Sequence, residues 1–283
     1  MRLEPRVVKS QQRGAWEANA PGWKKHWTVR EALAPVTDAL ITLADIGPGR
    51  WVLDVATGLG EPALTIARRV GPSGKVVGID IAPTMIAGAA ERGRAGGVTN
   101  AWFHVLDLDD LVGWPEAAYD TAVCRFGLVY LPELERGLRA VRHVLTPDAP
   151  FATAVWAPPD RVPFIAVAKD AIHRVLGVPG PGADMPHAFA LSERGVLEQA
   201  LSSSGYGKIR GERVTLVVEL PSPEAYVEVM RETTRLDALV QSTAPEKCEA
   251  AWAAVAEATA PYRDAAGTVS FPCEASCVVG YKA

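Results

Sequence analysis

WVLDVATGLGEPALTIARRV, residues 51–70, passes from an apolar run through a glycine-bearing turn into an amphipathic stretch. WVLDVA (51–56) predicts a short buried strand. TGLGE (57–61) predicts a tight turn. Pro62 suits the first turn of a helix, and Leu64, Ala67 and Val70 form that helix's inner stripe. The same strand–helix alternation continues along the chain. KVVGID (75–80) reads as a second strand, and Pro83 opens a helix whose inner face is Met85, Ile86 and Ala89. WFHVLDL (102–108) gives a third strand and TAVCRFGLVYL (121–131) contains a fourth. A helix over 133–145 and a fifth strand, FATAVW (151–156), follow. Strands alternating with helices predict an α/β fold: a Rossmann-like, mostly parallel sheet covered on both faces, with right-handed crossovers.

Beyond Trp156 the alternation stops. The Pro/Gly-rich loops APPDRVP and GVPGPGADMP flank a helical stretch at 164–176, and LSERGVLEQALSSSGY (191–206) predicts a helix ending at Gly205. ERVTLVVEL (212–220), rich in β-branched residues, is a sixth strand. Residues 222–266 are helical, and TVSFPCEASCVVGYK closes the chain as a strand or two. Upstream of the first strand, residues 10–46 are helical and amphipathic. Pro21, Pro35 and Pro48 are expected breaks, and Trp16, Trp23 and Trp27 fall in this segment. The division expected is an N-terminal helical lid (1–47), a nucleoside-binding core (48–156), a cap insertion (157–204), a core strand (205–221), a second helical cap segment (222–266) and C-terminal core strands (267–283).

The 283 residues are 48% hydrophobic and 22% charged, with a net charge of −4. Such a composition folds and excludes a wholly disordered chain. Without a Lys/Arg run it predicts no nucleic-acid partner. No run of about 18 apolar residues predicts a membrane span, and the polar start, MRLEPRVVKSQQRG, does not read as a secretory leader. Four cysteines, Cys124, Cys248, Cys273 and Cys277, are too few for a disulfide framework and lack C-x-x-C spacing. Cys273 and Cys277 on one straight strand would stand about 13 Å apart, beyond bridging distance. Reduced thiols, a cytoplasmic location and no metal site are the expectation, for a monomer or a homodimer.

The chemistry concentrates in the turn. In an open parallel sheet, ligands bind beyond the carboxyl ends of the strands. Gly58 and Gly60 let the backbone approach a ligand closely. Asp80, twenty residues after Gly60, ends the second strand, where a carboxylate accepts from both hydroxyls of a ribose. The ligand class is therefore nucleoside-containing. Gly58-Leu59-Gly60-Glu61-Pro62-Ala63 formally fits the dinucleotide pattern G-x-G-x-x-G/A. A pyrophosphate, however, needs free N–H groups at the helix start. Glu61 is negative there and Pro62 has no N–H. Neither is at odds with a ligand carrying an ammonium and a sulfonium.

VLDVATGLG, VVGIDIAP, LDLDDL, YDTAVCRFGLVYLPE and LTPDAPFATAVW, in that order, resemble the motifs of class I S-adenosylmethionine-dependent methyltransferases, and within them the ubiquinone/menaquinone-type small-molecule enzymes. Ala56 replaces the first motif glycine, and both glycines of the usual L-K-P-G-G are lost around Pro147. The resemblance covers about residues 50–156. It implies S-adenosylmethionine as cofactor and S-adenosylhomocysteine as product. It also implies cofactor contacts from Asp54, Ala56, Thr57, Gly58 and Gly60, with Asp80 on the ribose and Ile81 on the adenine face. Met85 would lie nearby or in the core, and Asp107 would accept from the adenine amino group beside the Leu108 backbone. Arg125 and Phe126, at the end of the fourth strand, face the same pocket. Trp23, His26 and Trp27 belong to helices that lid the active site in this family. Tyr130 and Trp156 are candidate walls of the substrate cavity, and His187 the histidine most apt to touch substrate. His187, His26 and Tyr130 are the candidate bases. His104, His143 and His173 read as structural. The implied reaction is in-line methyl transfer to oxygen, carbon or nitrogen of a bulky, partly apolar small molecule. The alternatives are a non-methylating enzyme on the same fold (pericyclase, decarboxylase or hydroxylase), a nicotinamide-dependent oxidoreductase, and a scaffold with a dead site.

Overall fold

A computed structural model describes residues 4–180 and 185–283, with only the backbone described at Thr28. Residues 181–184 of the second Pro/Gly-rich loop, and 1–3 of the expected lid, lie outside the described residues. Seven strands form one sheet in the order β3-β2-β1-β4-β5-β7-β6. They are β1 (Trp51–Val55), β2 (Lys75–Asp80), β3 (Ala101–Val105), β4 (Thr121–Arg125), β5 (Pro150–Trp156), β6 (Tyr206–Leu220) and β7 (Val269–Lys282). β1 to β5 pair in parallel, while β7 runs antiparallel to both neighbours. The order reverses between β1 and β4, which makes the carboxyl end of β1 the topological switch point.

The helices are α1 (Pro5–Lys25), α2 (Trp27–Glu31), α3 (Ala34–Leu43), α4 (Ala63–Val70), α5 (Pro83–Ala95), α6 (Leu134–Val144), α7 (Pro163–Leu176), α8 (Val196–Ser203), α9 (Pro223–Thr233), α10 (Leu236–Thr243) and α11 (Cys248–Glu257). Pro21 does not break the first of these. It lies inside α1, which continues to Lys25. The break comes at His26, whose N–H still caps Gly22. Pro62 stands just outside α4, which begins at Ala63. The predicted helix 191–206 shortens to α8, with left-handed Gly195 before it. The sixth strand is longer than predicted: β6 starts at Tyr206, and pairing with β7 carries its polar half, KIRGER. That pairing is non-local, so the local pattern did not reveal it.

Two apolar clusters fill the faces of the sheet. One joins α3, α4, α7, α9 and α11 to β5, β6 and β7; the other joins α6 and α8 to β1, β4 and β5. Phe271, fully buried on β7, packs with Phe164, Tyr226 and Tyr262. The four cysteines are free, and Cys273 and Cys277 are buried on β7. No described helix is long and apolar enough to cross a membrane. A third, small cluster of Ala20, Leu59, Ala82 and Met85 lies under Trp16, Trp23 and Trp27, where α1 and α2 cross the glycine loop.

Candidate active site

Asp54 organises the turn after β1. It is fully buried, and its Oδ2 accepts from Thr57 Oγ1 at 2.6 Å and from Ala63 N at 3.0 Å. Its Oδ1 is buried without a partner among the described residues. Desolvation pushes its carboxyl up to about 7, against the hydrogen bond from Thr57 and the attraction of Arg125. Ala63 N is the first free donor of α4 and is taken by Asp54, while Leu64 N bonds Gly60 O at 2.8 Å. The helix start therefore has its leading donors occupied, and Pro62 adds none. That disfavours a pyrophosphate and leaves room for a cationic ligand.

The loop itself is left-handed at alternate residues: Ala56 (φ 55°), Gly58 (φ 55°) and Gly60 (φ 90°). Ala56 thus occupies a glycine conformation at a cost of about 1–2 kcal/mol. Its Cβ also dictates its neighbour across the switch point, since a Cβ on Gly127 would lie 2.5 Å from it. Asp80 closes the loop from β2. Its Oδ2 accepts from Gly58 N at 3.0 Å and its Oδ1 from Ala82 N at 2.9 Å. Each oxygen keeps a lone pair for a further donor. Burial raises this carboxyl, and the N–H groups of Ala82 and Gly58 oppose the rise. Ile81 is half-buried beside it, and Met85 belongs to the small cluster under the tryptophans.

Asp107 caps a short turn through Asp109 N at 3.1 Å, with Leu108 buried beneath. Its Oδ1 also receives Lys9 Nζ of α1 at 2.8 Å, and the same ammonium reaches Asp109. Arg125 is buried and aimed at the loop's back. Its Nη1 donates to Thr37 Oγ1 at 2.7 Å and its Nη2 to the Glu61 carbonyl at 3.2 Å, tying β4 to α3 and the turn. Phe126 is left-handed (φ 66°) and stacks on Trp156 at 4.2 Å. Tyr130 meets Trp16 of α1 edge-on at 5.1 Å, and burial pushes its hydroxyl up to about 12.

The structure therefore gathers Asp54, Ala56, Thr57, Gly58, Gly60, Asp80, Ile81 and Met85 around one loop under Trp23 and Trp27. Two candidate bases are engaged elsewhere. His26 Nε2 lies 2.8 Å from Glu232 Oε2 on α9. With Glu228 it forms a His/Glu cluster whose carboxylates are already paired with Lys25. His187 Nδ1 accepts from Phe189 N at 3.2 Å, beside Lys169 of α7, and among the described residues it has no partner in the glycine loop. Burial holds its ring below the usual range.

Three site residues escaped the sequence reading. Arg30 of α2 lies against Gly58, where a Cβ would come within 3.2 Å of its Nη2. Arg92 donates to Leu59 O at 2.7 Å and stacks on Trp27 at 3.3 Å. Lys9 sits on Asp107. A signal for the first existed: Trp16, Trp23, Trp27 and Arg30, spaced 7, 4 and 3 apart, form one helical stripe.

Residues 52–148 match a methyltransferase domain family. The chain is built on a methyltransferase domain. Its cofactor is S-adenosylmethionine, and the occupied helix start, the acidic Asp80 and the tryptophans beside the loop fit that group. Around this domain the chain is similar to the nocamycin O-methyltransferase of Saccharothrix syringae, at 28% identity over 70% of this chain and 73% of that protein. It is similar to the demethylmenaquinone methyltransferase of Thermus thermophilus at 32% identity over 44% of this chain, spanning only 56% of that relative. Among solved structures, YcgJ of Bacillus subtilis superposes with a TM-score of 0.57 at 18% identity, covering 87% of this chain and 97% of the other. The [4+2]-cyclase SpnF superposes at 0.53 and 21% identity, covering 87% and 80%. These likenesses establish the methyltransferase fold.

Proposed function

We propose that the chain transfers the methyl group of S-adenosylmethionine to a bulky, partly apolar small molecule of polyketide or quinone type. The observation that carries this reading is the Asp80 carboxylate held across the glycine loop between Gly58 N and Ala82 N, each oxygen keeping one lone pair for a ribose hydroxyl. The relatives named for nocamycin, demethylmenaquinone and aklanonic acid support the acceptor class.

When bound, the cofactor supplies an activated methyl on sulfur. The chain's part is to bind, orient and dry the site. Gly58 and Gly60 admit the ligand against backbone. Trp23 and Trp27 exclude water and offer aromatic faces to a cation. Orientation of this kind supplies about 7–11 kcal/mol of a barrier. Tyr130, with its hydroxyl pushed up to about 12, stays protonated near neutral pH and serves as a donor, not as a base. With His26 on Glu232 and His187 on Phe189, the acceptor we favour ionises without help, as a phenol, enol or hydroquinone does more readily than an alcohol.

Thermal unfolding with S-adenosylmethionine, S-adenosylhomocysteine and NADPH in parallel tests the cofactor. Ligand at about 100 times its Kd adds roughly 2.7 kcal/mol, and Asp80→Ala removes the gain. A response to NADPH alone overturns the reading. Incubation with a methyl-labelled cofactor and naphthoquinol or polyketide acceptors tests transfer. Cofactor binding without labelled product in any of them favours a non-methylating reaction.

A further inference from the structure

Away from the glycine loop, α1 crosses α9 with the two backbones almost touching. Asn19 donates to the Thr233 carbonyl at 3.2 Å, and a Cβ on Gly22 would come 2.1 Å from the Glu232 carbonyl oxygen. The helices are therefore fixed against each other close to His26. Three donors converge at this crossing. Glu228 and Glu232, four residues apart on α9, share one helix face. His26, in the break between α1 and α2, supplies the third. One imidazole nitrogen and two carboxylate oxygens lie within 4.8 Å of one another. His26 Nε2 is 2.8 Å from Glu232 Oε2.

A cation already marks the point on which the carboxylates aim. Lys25 Nζ lies 2.6 Å from Glu228 Oε1 and 2.8 Å from Glu232 Oε1. The lysine side chain is 52% exposed and its stem can swing into water, whereas that of His26 is 12% exposed and held. The ammonium uses only the two carboxylates. A divalent ion would use the imidazole as well. Tetrahedral zinc, with ligands at about 2.0–2.2 Å, needs donors about 3.3 Å apart. Small rotations of the two glutamates, whose side chains reach solvent, bring the cluster to that spacing. An imidazole with two carboxylates suits zinc, while magnesium and calcium favour oxygen alone. A cavity of about 450 Å³ lined by Glu224, Glu228, Glu232 and Asp237, with Arg231 the opposing charge, opens beside the cluster and gives a cation an acidic approach.

We propose that His26, Glu228 and Glu232 form a zinc site, with Lys25 displaced into water and a solvent molecule as fourth ligand. The ion would tie the break between α1 and α2 to α9. Trp27, the next residue, belongs to the group packed over the glycine loop, so the ion fastens the helices that cover that loop.

The test measures zinc uptake by the full chain in competition with a chromophoric chelator, for wild type, His26→Ala, Glu232→Gln and Lys25→Met. Wild type should bind one ion, and a large excess of magnesium should not displace it. His26→Ala and Glu232→Gln should each weaken binding by at least the roughly tenfold that loss of a mere supporting partner costs. Lys25→Met should bind more tightly, because the competing ammonium is gone, and a gain cannot come from misfolding. Zinc should also slow proteolysis near His26 in wild type and not in His26→Ala. No uptake by either wild type or Lys25→Met would overturn the proposal. Uptake undiminished in both His26→Ala and Glu232→Gln would place the ion elsewhere, with Cys248 the next residue to test, and would overturn it as well.

Discussion

The sheet and the N-terminal strap are held by different forces. Around the sheet, contact is apolar and sealed: Phe151, Phe271 and Tyr226 are fully buried, and two clusters cover both faces. The strap, α1 with α2, is held mainly by charge and hydrogen bonds. Lys9 pairs with Asp107 and Asp109, Lys24 with Glu91, and Lys25 with Glu228 and Glu232. Asn19 donates to the Thr233 carbonyl, and Arg235 donates to Gln11 and Gln12. Its apolar anchor is the small cluster under the tryptophans. Exposed pairs contribute about 0–1 kcal/mol each and weaken with salt, whereas burial of a large side chain contributes about 1.5–3 kcal/mol. The sheet is thus sealed by burial, whereas the strap over the loop is held by individually weaker contacts.

The largest test of that contrast lies in the core. Phe271→Ala should cost about 3–5 kcal/mol in denaturant unfolding, with the strap and sheet melting together. A much smaller cost would mean that the sheet face is not the sealed core described here. The strap responds to a smaller change. A Cβ at Gly22 would come 2.1 Å from the Glu232 carbonyl oxygen of α9, so Gly22→Ala should push α1 off α9. We expect a loss of about 1–3 kcal/mol, read as faster proteolysis near His26 while the core midpoint moves little. If core and strap lose stability equally, the two regions are one cooperative unit.

Asp54, at the base of the loop that the strap covers, gives a pH signature. Its folded carboxyl is pushed up to about 7 from an ordinary value of 3.8, so between those values the folded state holds a proton that the unfolded chain has released. Stability from this group therefore falls as pH rises from about 4 to about 7. Asp54→Asn keeps an acceptor for Thr57 and Ala63 and should flatten that slope in urea titrations at several pH values. An unchanged slope would assign the titration to other groups. Lys25→Ala should have only a small effect on stability, and 0.5 M salt should erase the difference from wild type. The smallest expected effect is Ala56→Gly. Relief of the left-handed backbone is largely offset by the freer unfolded glycine, so the net gain should be under about 1 kcal/mol. A clear loss would show that the Ala56 methyl contributes packing at the switch point.

The alternation of strands and helices, the turn 57–61 and the acid at Asp80 were all legible because each is a local pattern. A strand's apolar run, a glycine where the backbone turns left-handed and a carboxylate at a strand tip are properties of a few consecutive residues. The resemblance to methyltransferases added the order of those pieces. Three local readings failed where a distant partner intervened. Pro21 stays helical in an α1 docked on α9, β6 extends through polar residues paired with β7, and His26 turns to Glu232.

The sequence by itself determined the sheet, the ligand class and the loop that receives it. Only the tertiary structure decided what covers that loop. Arg30 meets Gly58 across 28 positions of chain, and Lys9 meets Asp107 across 98. The stripe of Trp16, Trp23, Trp27 and Arg30 marks an inward face of the strap, but no spacing in the chain says which residues that strap meets. A charged residue on a helix reads as solvated surface until the fold brings its helix over a site.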